Sequence, residues 1–249
     1  EILSGLVGSE MCIRDRFDRV VSPSRFIAQR LEEAGVGGIV IRPLGVEVDT
    51  FHPDRRDRDW LLKKLGLGAD ARLLCFAGRP AKEKNVGVLI DAVQRLGAPY
   101  HLVLVGAGAG MPPEDRVISL PYEKDPRAVA RIIASCDAFV HANDKEPFGL
   151  IVLEAMACGR AVVGVNAGGV AETVDESVGQ LAASADPIDY AEAIEALFAR
   201  DVEALGQAAR VKAVEQFAWS RVFEDLTMLY GELTGKAEFV TPQEVLPIN

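Results

Sequence analysis

The chain has 249 residues, 49% of them hydrophobic, which is enough for one large or two small domains. Its formal net charge of -10 at pH 7 argues against a general affinity for nucleic acid, because binding to phosphates requires a clustered Lys and Arg surface. No window approaches the roughly 18 uninterrupted apolar residues of a membrane-spanning helix, and the first residues do not resemble a signal peptide, so we expect the cytoplasm.

Residues 1–16 fit no structural pattern. The stretch from Glu10 to Asp15 can be encoded as GAG ATG TGT ATA AGA GAC, which resembles the transposase-adapter end used in sequencing libraries. We therefore expect these residues to be an artefact and the protein's own sequence to start near Phe17, without the part that precedes it. The alternative is a genuine, irregular N-terminal segment.

The next part of the chain predicts a strand, a helix, a strand and a linker. The first strand ends at Ser22, the helix begins after Ser24 and closes at Gly35, and the second strand covers residues 38–42. Turn-forming residues and the charged run DRRDRD follow. This stretch indicates an interdomain linker.

Strands and helices then alternate. We predict strands at residues 72–78, 101–105, 117–120, 138–141 and 161–165, and helices at residues 86–96, 127–135, 149–158 and 187–199. This order with fully apolar strands predicts an α/β fold with a doubly wound parallel sheet. The chain then reads as helical from residue 205 to residue 233, with a break at Trp219 and Ser220. We expect a disordered tail from residue 236.

The four cysteines predict neither a disulfide framework nor a zinc site. They are far apart, form no CxxC pair and have no histidine cluster near them. We interpret them as free thiols: Cys12, Cys75, Cys136 and Cys158.

Two loops follow predicted strands, at the edge of a parallel sheet where ligands bind. In the first, GRPAKEKN at residues 78–85, Gly78 lets the chain turn and Arg79 and Lys84 precede a helix, which suits a diphosphate. The alternative is a solvated turn with ordinary surface charges. The second loop begins at Gly106 and resembles a dinucleotide-binding fingerprint. Prolines interrupt it and no acidic residue ends the next strand, so we interpret it as a close approach of backbone to a ligand.

A third loop, HANDKEPFGL at residues 141–150, leads into the helix predicted at 149–158. Glu146 lies in the loop and Glu154 on the helix, and the helix start leaves the backbone N–H groups of Phe148, Gly149 and Leu150 unpaired. Carboxylates can bind sugar hydroxyls and amides can bind phosphate. The glycine-containing segment 167–172 follows the next strand, and we expect it to line the same cleft.

Residues 145–164, KEPFGLIVLEAMACGRAVVG, closely resemble the EX7E signature of retaining GT-B glycosyltransferases, the group described as glycosyl transferases group 1 or glycosyltransferase family 4. GRPAKEKN resembles the Arg-X4-Lys diphosphate clamp of this family. Residues 24–31 and 41–53 resemble the last βαβ unit of its first lobe and the linker. The resemblance covers residues 17–233.

The resemblance implies a role for each matched residue. Arg79 and Lys84 would contact the donor diphosphate, Glu154 the nucleotide ribose, and Glu146 the donor sugar near the reacting carbon. His141 and Ala142 stand where many relatives have Pro-Ser, so His141 is either a donor contact or a packing variant. The catalytic residues expected are Glu146, Arg79 and Lys84, and the donor-binding residues expected are Gly78, Gly106, Tyr122, His141, Phe148, Gly149, Leu150 and Glu154.

The resemblance also implies an organisation and a reaction. Residues 17–53 would be the remnant of a first lobe and its linker, 54–220 a Rossmann-like domain that binds a nucleotide sugar, 221–235 a helix returning toward the first lobe, and 236–249 a tail. The enzyme would transfer a hexosyl group, mannosyl or glucosyl, from a UDP- or GDP-sugar to a glycan, lipid or small-molecule acceptor with retention. No metal or cofactor is expected.

The acceptor site would lie in the missing lobe, so we expect no turnover by this chain alone. Peripheral membrane association through that lobe is a further expectation. Two alternatives remain: a nucleotide-sugar epimerase of the same fold, and a nicotinamide-dependent oxidoreductase suggested by the glycine run.

Overall fold

A computed structural model describes residues 17–79, 81–106 and 114–235. The predictions for residues 1–16, for the glycine run beyond Gly106 and for the tail from residue 236 therefore lie outside the described residues. Within the described part of the chain, no helix combines the length and apolarity that crossing a bilayer requires.

A six-stranded, fully parallel sheet forms the centre of the fold, in the order β5–β4–β3–β6–β7–β8. Strand order reverses between β3 and β6, which creates the switch point where ligands of such sheets bind. The predicted doubly wound fold is confirmed. The strands are β3 (Arg72–Ala77), β4 (Tyr100–Val105), β5 (Val117–Leu120), β6 (Ala138–Val140), β7 (Ala161–Val165) and β8 (Gly179–Ala182).

Helices cover both faces of this sheet, and its strands are therefore buried on both sides. One apolar cluster packs α2, α4, α5 and α8 against the sheet, and the other packs α3 and α7. The helices of this domain are α2 (Arg58–Leu65), α3 (Val86–Leu96), α4 (Pro126–Ser135), α5 (Leu150–Ala157), α6 (Val170–Thr173), α7 (Pro187–Phe198), α8 (Val202–Phe217) and α9 (Trp219–Thr234).

An N-terminal segment, residues 17–53, precedes this domain. It contains β1 (Val20–Ser22), α1 (Arg25–Glu33) and β2 (Ile39–Ile41), and the two strands pair in parallel. The chain then runs to the junction of α8 and α9, where the Val46 N–H donates to the Phe217 carbonyl at 2.7 Å. The Arg210 guanidinium donates to the carbonyls of Val48 and Phe51 at 3.0 and 2.9 Å. These bonds hold the segment that connects the N-terminal segment to the sheet domain.

The predicted strands and helices agree with the observed ones to within one or two residues, except that α8 begins at Val202, three residues before the predicted start at 205. Two elements were missed. Helix α2 begins at Arg58, within the charged run that we assigned to the linker. Asp57 caps it through the Trp60 N–H, and Leu61 and Leu62 are buried. Strand β8 was missed because its sequence GQLA has a weak apolar signal. The break between the last helices falls at Ala218, one residue before the predicted position.

Candidate functional site

A cleft of about 570 Å³ opens beyond the carboxyl ends of the central strands. Its size suits a ligand of nucleotide dimensions. Most of the residues predicted from sequence converge here although they come from separate loops. Nine of them line it: Gly78, Arg79, Lys84, Gly106, Tyr122, Glu146, Phe148, Gly149 and Leu150.

Glu146 is the most heavily bonded side chain of the cleft. One oxygen, Oε2, accepts from Lys84 Nζ at 2.7 Å, from Asn143 Nδ2 at 2.9 Å and from His141 Nε2 at 3.0 Å. Burial alone would raise the pKa of Glu146, but the hydrogen bonds from His141 and Lys84 outweigh it and lower the pKa to about 2. The carboxylate is therefore ionised throughout the physiological range.

His141 contacts Glu146 from the protein interior and does not line the cleft. Its side chain is 1% exposed, its backbone N–H donates to the Tyr190 hydroxyl at 2.8 Å, and its ring lies against Phe76. The ionised Glu146 can only accept, so Nε2 carries a proton. The other ring nitrogen, Nδ1, is buried and has no hydrogen-bond partner in the described structure.

The loop after β3 places Arg79 and Lys84 on one side of the cleft. A 3-10 turn, Lys82–Lys84, ends at Asn85 in the left-handed region with φ 49°. Asn85 Nδ2 donates to the Ala142 carbonyl at 3.0 Å and so joins this loop to the loop after β6. Lys84 is thereby held facing Glu146, while Arg79 is exposed at the cleft.

Backbone groups form the floor between the two loops. A Cβ on Gly106 would stand 3.0 Å from the carbonyl oxygen of Gly78, and both residues have positive φ values, of 90° and 147°. Any side chain on Gly106 would therefore crowd the floor. The close approach of backbone to a ligand that we expect at Gly106 stays a prediction, and the rest of that run lies outside the described residues.

Helix α5 begins at the cleft with unpaired backbone N–H groups. Its N-cap, Gly149, has φ 94° and contributes no side chain that could accept from them. Glu154 lies one turn further along and is not among the residues that line the cleft. Its burial raises the pKa of the carboxyl to about 7. The amino end of α5, with its unpaired N–H groups, attracts anions.

Sequence reasoning missed several contributors. The Asn143 side chain donates a hydrogen bond to Glu146, three positions later in the same loop. Because the two residues are so close in the sequence, this contact could have been predicted. Pro23 and Leu44 reach the cleft from the N-terminal segment. Their arrival depends on long-range packing, which local patterns do not encode. The described residues hold no group of three or more His, Cys, Asp or Glu side chains that could bind a metal ion.

Comparison with known sequences identifies relatives of this chain. Residues 71–200 match the family described as "Glycosyl transferases group 1". A D-inositol 3-phosphate glycosyltransferase of Xylanimonas cellulosilytica is 31% identical over 253 residues, which cover 92% of this chain and 60% of that enzyme. A GDP-mannose-dependent alpha-(1-6)-phosphatidylinositol dimannoside mannosyltransferase of Mycobacterium tuberculosis is 29% identical, with 87% and 58% covered. The chain thus spans about 60% of the length of these relatives.

Solved structures share the fold. Sucrose-phosphate synthase of Thermosynechococcus elongatus superposes with a TM-score of 0.78 at 25% identity, covering 92% of this chain and 61% of that enzyme. Anabaena HepE in complex with UDP-glucose superposes with a TM-score of 0.76 at 22% identity, covering 93% and 70%. The family match spans more than half of the chain and includes both loops that form the cleft. The chain therefore belongs to the glycosyl transferases group 1 family and has the fold of a GT-B glycosyltransferase.

Proposed function

We propose that this chain binds the nucleotide-diphosphate sugar of a retaining glycosyltransferase that transfers a hexosyl group. The observation that carries this proposal is the convergence of Arg79, Lys84, the amino end of α5 and the ionised Glu146 on one cleft. Cations and helix-end amides suit a diphosphate, and a carboxylate suits sugar hydroxyls.

In this proposal, electrostatic stabilisation supplies the catalysis. Departure of the nucleoside diphosphate leaves an oxocarbenium-like sugar, so negative charge grows on the leaving phosphate. Arg79, Lys84 and the N–H groups of Phe148, Gly149 and Leu150 would stabilise that charge. Lys84 is held by Glu146 and the amides by the start of α5, so both are in place before the reaction begins. Glu146 would face the positive charge that develops on the sugar.

The remaining predicted residues would bind the nucleotide. Glu154 would accept hydrogen bonds from the ribose, and Tyr122 would border the base. Gly78 and Gly106 would let the phosphates approach the backbone. His141, which is buried behind Glu146, would act on the donor through that carboxylate. We propose that binding requires neither a metal ion nor a cofactor.

The relatives support a UDP- or GDP-linked glucose or mannose as the donor. One is described as GDP-mannose-dependent, and the structural neighbour HepE holds UDP-glucose. A glycan, lipid or small-molecule acceptor would be bound mainly by residues outside this chain, because the chain spans about 60% of the relatives' length. We therefore propose that the chain binds donor without efficient transfer.

Isothermal titration of the chain with UDP-glucose and with GDP-mannose tests this function. At least one should bind, and Lys84→Met should weaken its binding by roughly tenfold or more, the loss expected for one charge-assisted contact. Lys82→Met is the matched control, since Lys82 belongs to the same 3-10 turn but does not line the cleft. Binding of neither nucleotide sugar, or equal losses in both variants, would contradict the proposal. NADH should not bind.

A further inference from the structure

The amino end of α1 docks on the parallel-sheet domain at the donor cleft. Ser24, the N-cap of α1, is 2% exposed. Its hydroxyl accepts from the Ile27 N–H at 3.2 Å and donates to the carbonyl of Pro147 at 2.6 Å. Pro147 follows Glu146 directly. A helix cap in the N-terminal segment therefore bonds the loop that carries the proposed sugar-facing carboxylate.

Glu172 completes this contact from the other side. One carboxylate oxygen accepts from the Arg25 N–H at 2.8 Å and the other from the Phe26 N–H at 2.7 Å. Helix α1 has no acidic residue in its own first turn, although negative charge there stabilises a helix. That charge comes from a residue nearly 150 positions away, so the contact joins two separate parts of the fold.

The element that carries Glu172 is also tied to the cleft. Helix α6 follows Gly169, whose N–H donates to the Glu146 carbonyl at 2.8 Å. A Cβ on Gly169 would stand 2.4 Å from the Pro147 carbonyl oxygen, so the two backbones touch. Glu172, α6 and the loop around Glu146 therefore form one continuous set of contacts. Pro23, next to the Ser24 cap, lines the cleft.

We propose that Glu172 is a positioning residue for the donor cleft. It holds the start of α1 so that Pro23 covers the cleft and Ser24 fixes the Pro147 carbonyl. This inference rests on the proposed donor-binding function of that cleft. Glu172 itself is exposed, so its two bonds can open and close in water. When they open, α1 leaves the loop and the cleft loses one wall.

Two measurements on the 249-residue chain test this role. The first is hydrogen–deuterium exchange of peptides that contain Arg25 and Phe26 and of peptides that contain residues 146–150. The second is the affinity for UDP-glucose and GDP-mannose. The variants are Glu172→Ala and Glu172→Gln, with Glu176→Ala as the matched control, because Glu176 is exposed close by and uses only its backbone carbonyl in a hydrogen bond.

Glu172→Ala should speed exchange at Arg25 and Phe26 and at residues 146–150, and should weaken donor binding roughly tenfold, since only the docked fraction is competent. Glu172→Gln should fall between it and wild type because one acceptor oxygen remains. Ser24→Ala should also weaken binding, through the Pro147 contact. Unchanged exchange in Glu172→Ala overturns the proposal, as does faster exchange confined to α1 with unchanged affinity. Wild-type chain that binds neither sugar would refute the donor function instead.

Discussion

Replacing Glu146 with Gln tests the charge network at the centre of the cleft. The change keeps the shape of the side chain but removes the charge that Lys84, His141 and Asn143 approach at 2.7 to 3.0 Å. The pKa of Glu146 is lowered from 4.5 to about 2, which corresponds to about 3 kcal/mol of stabilisation of the folded state by the ionised carboxylate. The side chain is 13% exposed, so solvent screens this little.

The sign follows from the direction of the shift. A carboxyl whose pKa is lowered by folding contributes its full stabilisation above pH 4.5 and loses it as the pH falls from 4.5 toward 2. At pH 7 we expect Glu146→Gln to lower the free energy of unfolding by about 2 to 3 kcal/mol, because the amide oxygen can take the place of Oε2 but carries no charge to pair with Lys84.

Urea unfolding at pH 7, followed by circular dichroism, measures this loss. Glu83→Gln is the control, because Glu83 is an exposed acid next to Lys84 in the sequence. The control should unfold within about 0.5 kcal/mol of wild type. If Glu146→Gln were as stable as Glu83→Gln, the three donors would not converge on an ionised carboxylate and the arrangement described here would be wrong.

Three further changes probe the cleft and its support. Donor binding should weaken roughly tenfold between pH 8 and pH 6 in calorimetry, because burial raises the pKa of Glu154 to about 7 and the proposed ribose contact needs the ionised form. Gly169→Ala should lower the free energy of unfolding, measured by thermal melting, by about 1–3 kcal/mol, because its Cβ would stand 2.4 Å from the Pro147 carbonyl oxygen. Tyr190→Phe should cost about 1 kcal/mol in urea unfolding, because it removes a buried 2.6 Å hydrogen bond to the Val163 carbonyl.

Each of these has a matched control. Glu154→Gln should bind donor weakly at both pH values, and pH-independent binding by wild type would contradict the ribose role. Gly87→Ala is the control for Gly169→Ala, since a Cβ on Gly87 meets nothing within 4 Å, and equal melting of the two would refute the steric argument. Tyr230→Phe is the control for the tyrosine, because Tyr230 is 59% exposed.

The order of strands and helices could be predicted because buried parallel strands are continuous apolar runs. Helix α2 could not be separated from a linker, since its buried leucines follow the run DRRDRD, which hides the amphipathic pattern. Strand β8 carries only Leu181 and Ala182 as apolar residues and is recognisable by its pairing with β7. Elements whose signal comes from tertiary pairing are missed by local patterns.

The candidate site also has parts that local sequence patterns predict and parts that depend on tertiary contacts. The loops after β3 and β6 could be placed together because carboxyl ends of parallel strands share an edge. The inward turn of His141 could not be foreseen, since it depends on the packing of its ring against Phe76 and on the Tyr190 hydroxyl. The contact of Glu172 with the start of α1 joins residues nearly 150 positions apart, and no spacing in the sequence indicates it.

The two glutamates of the EX7E signature differ in a way that bears on their chemistry. Glu146 has a pKa of about 2 and three donors on one oxygen, so it cannot deliver a proton at neutral pH, whereas burial without a charged partner raises the pKa of Glu154 to about 7. In the proposed reaction the fixed anion would lie beside the sugar, where it suits a transition state that gains positive charge. If a diphosphate binds as proposed, Lys84 would face two anions, Glu146 and the phosphate. In the proposed reaction Lys84 would face both charges from one position, while His141 and Asn143 keep the carboxylate in place.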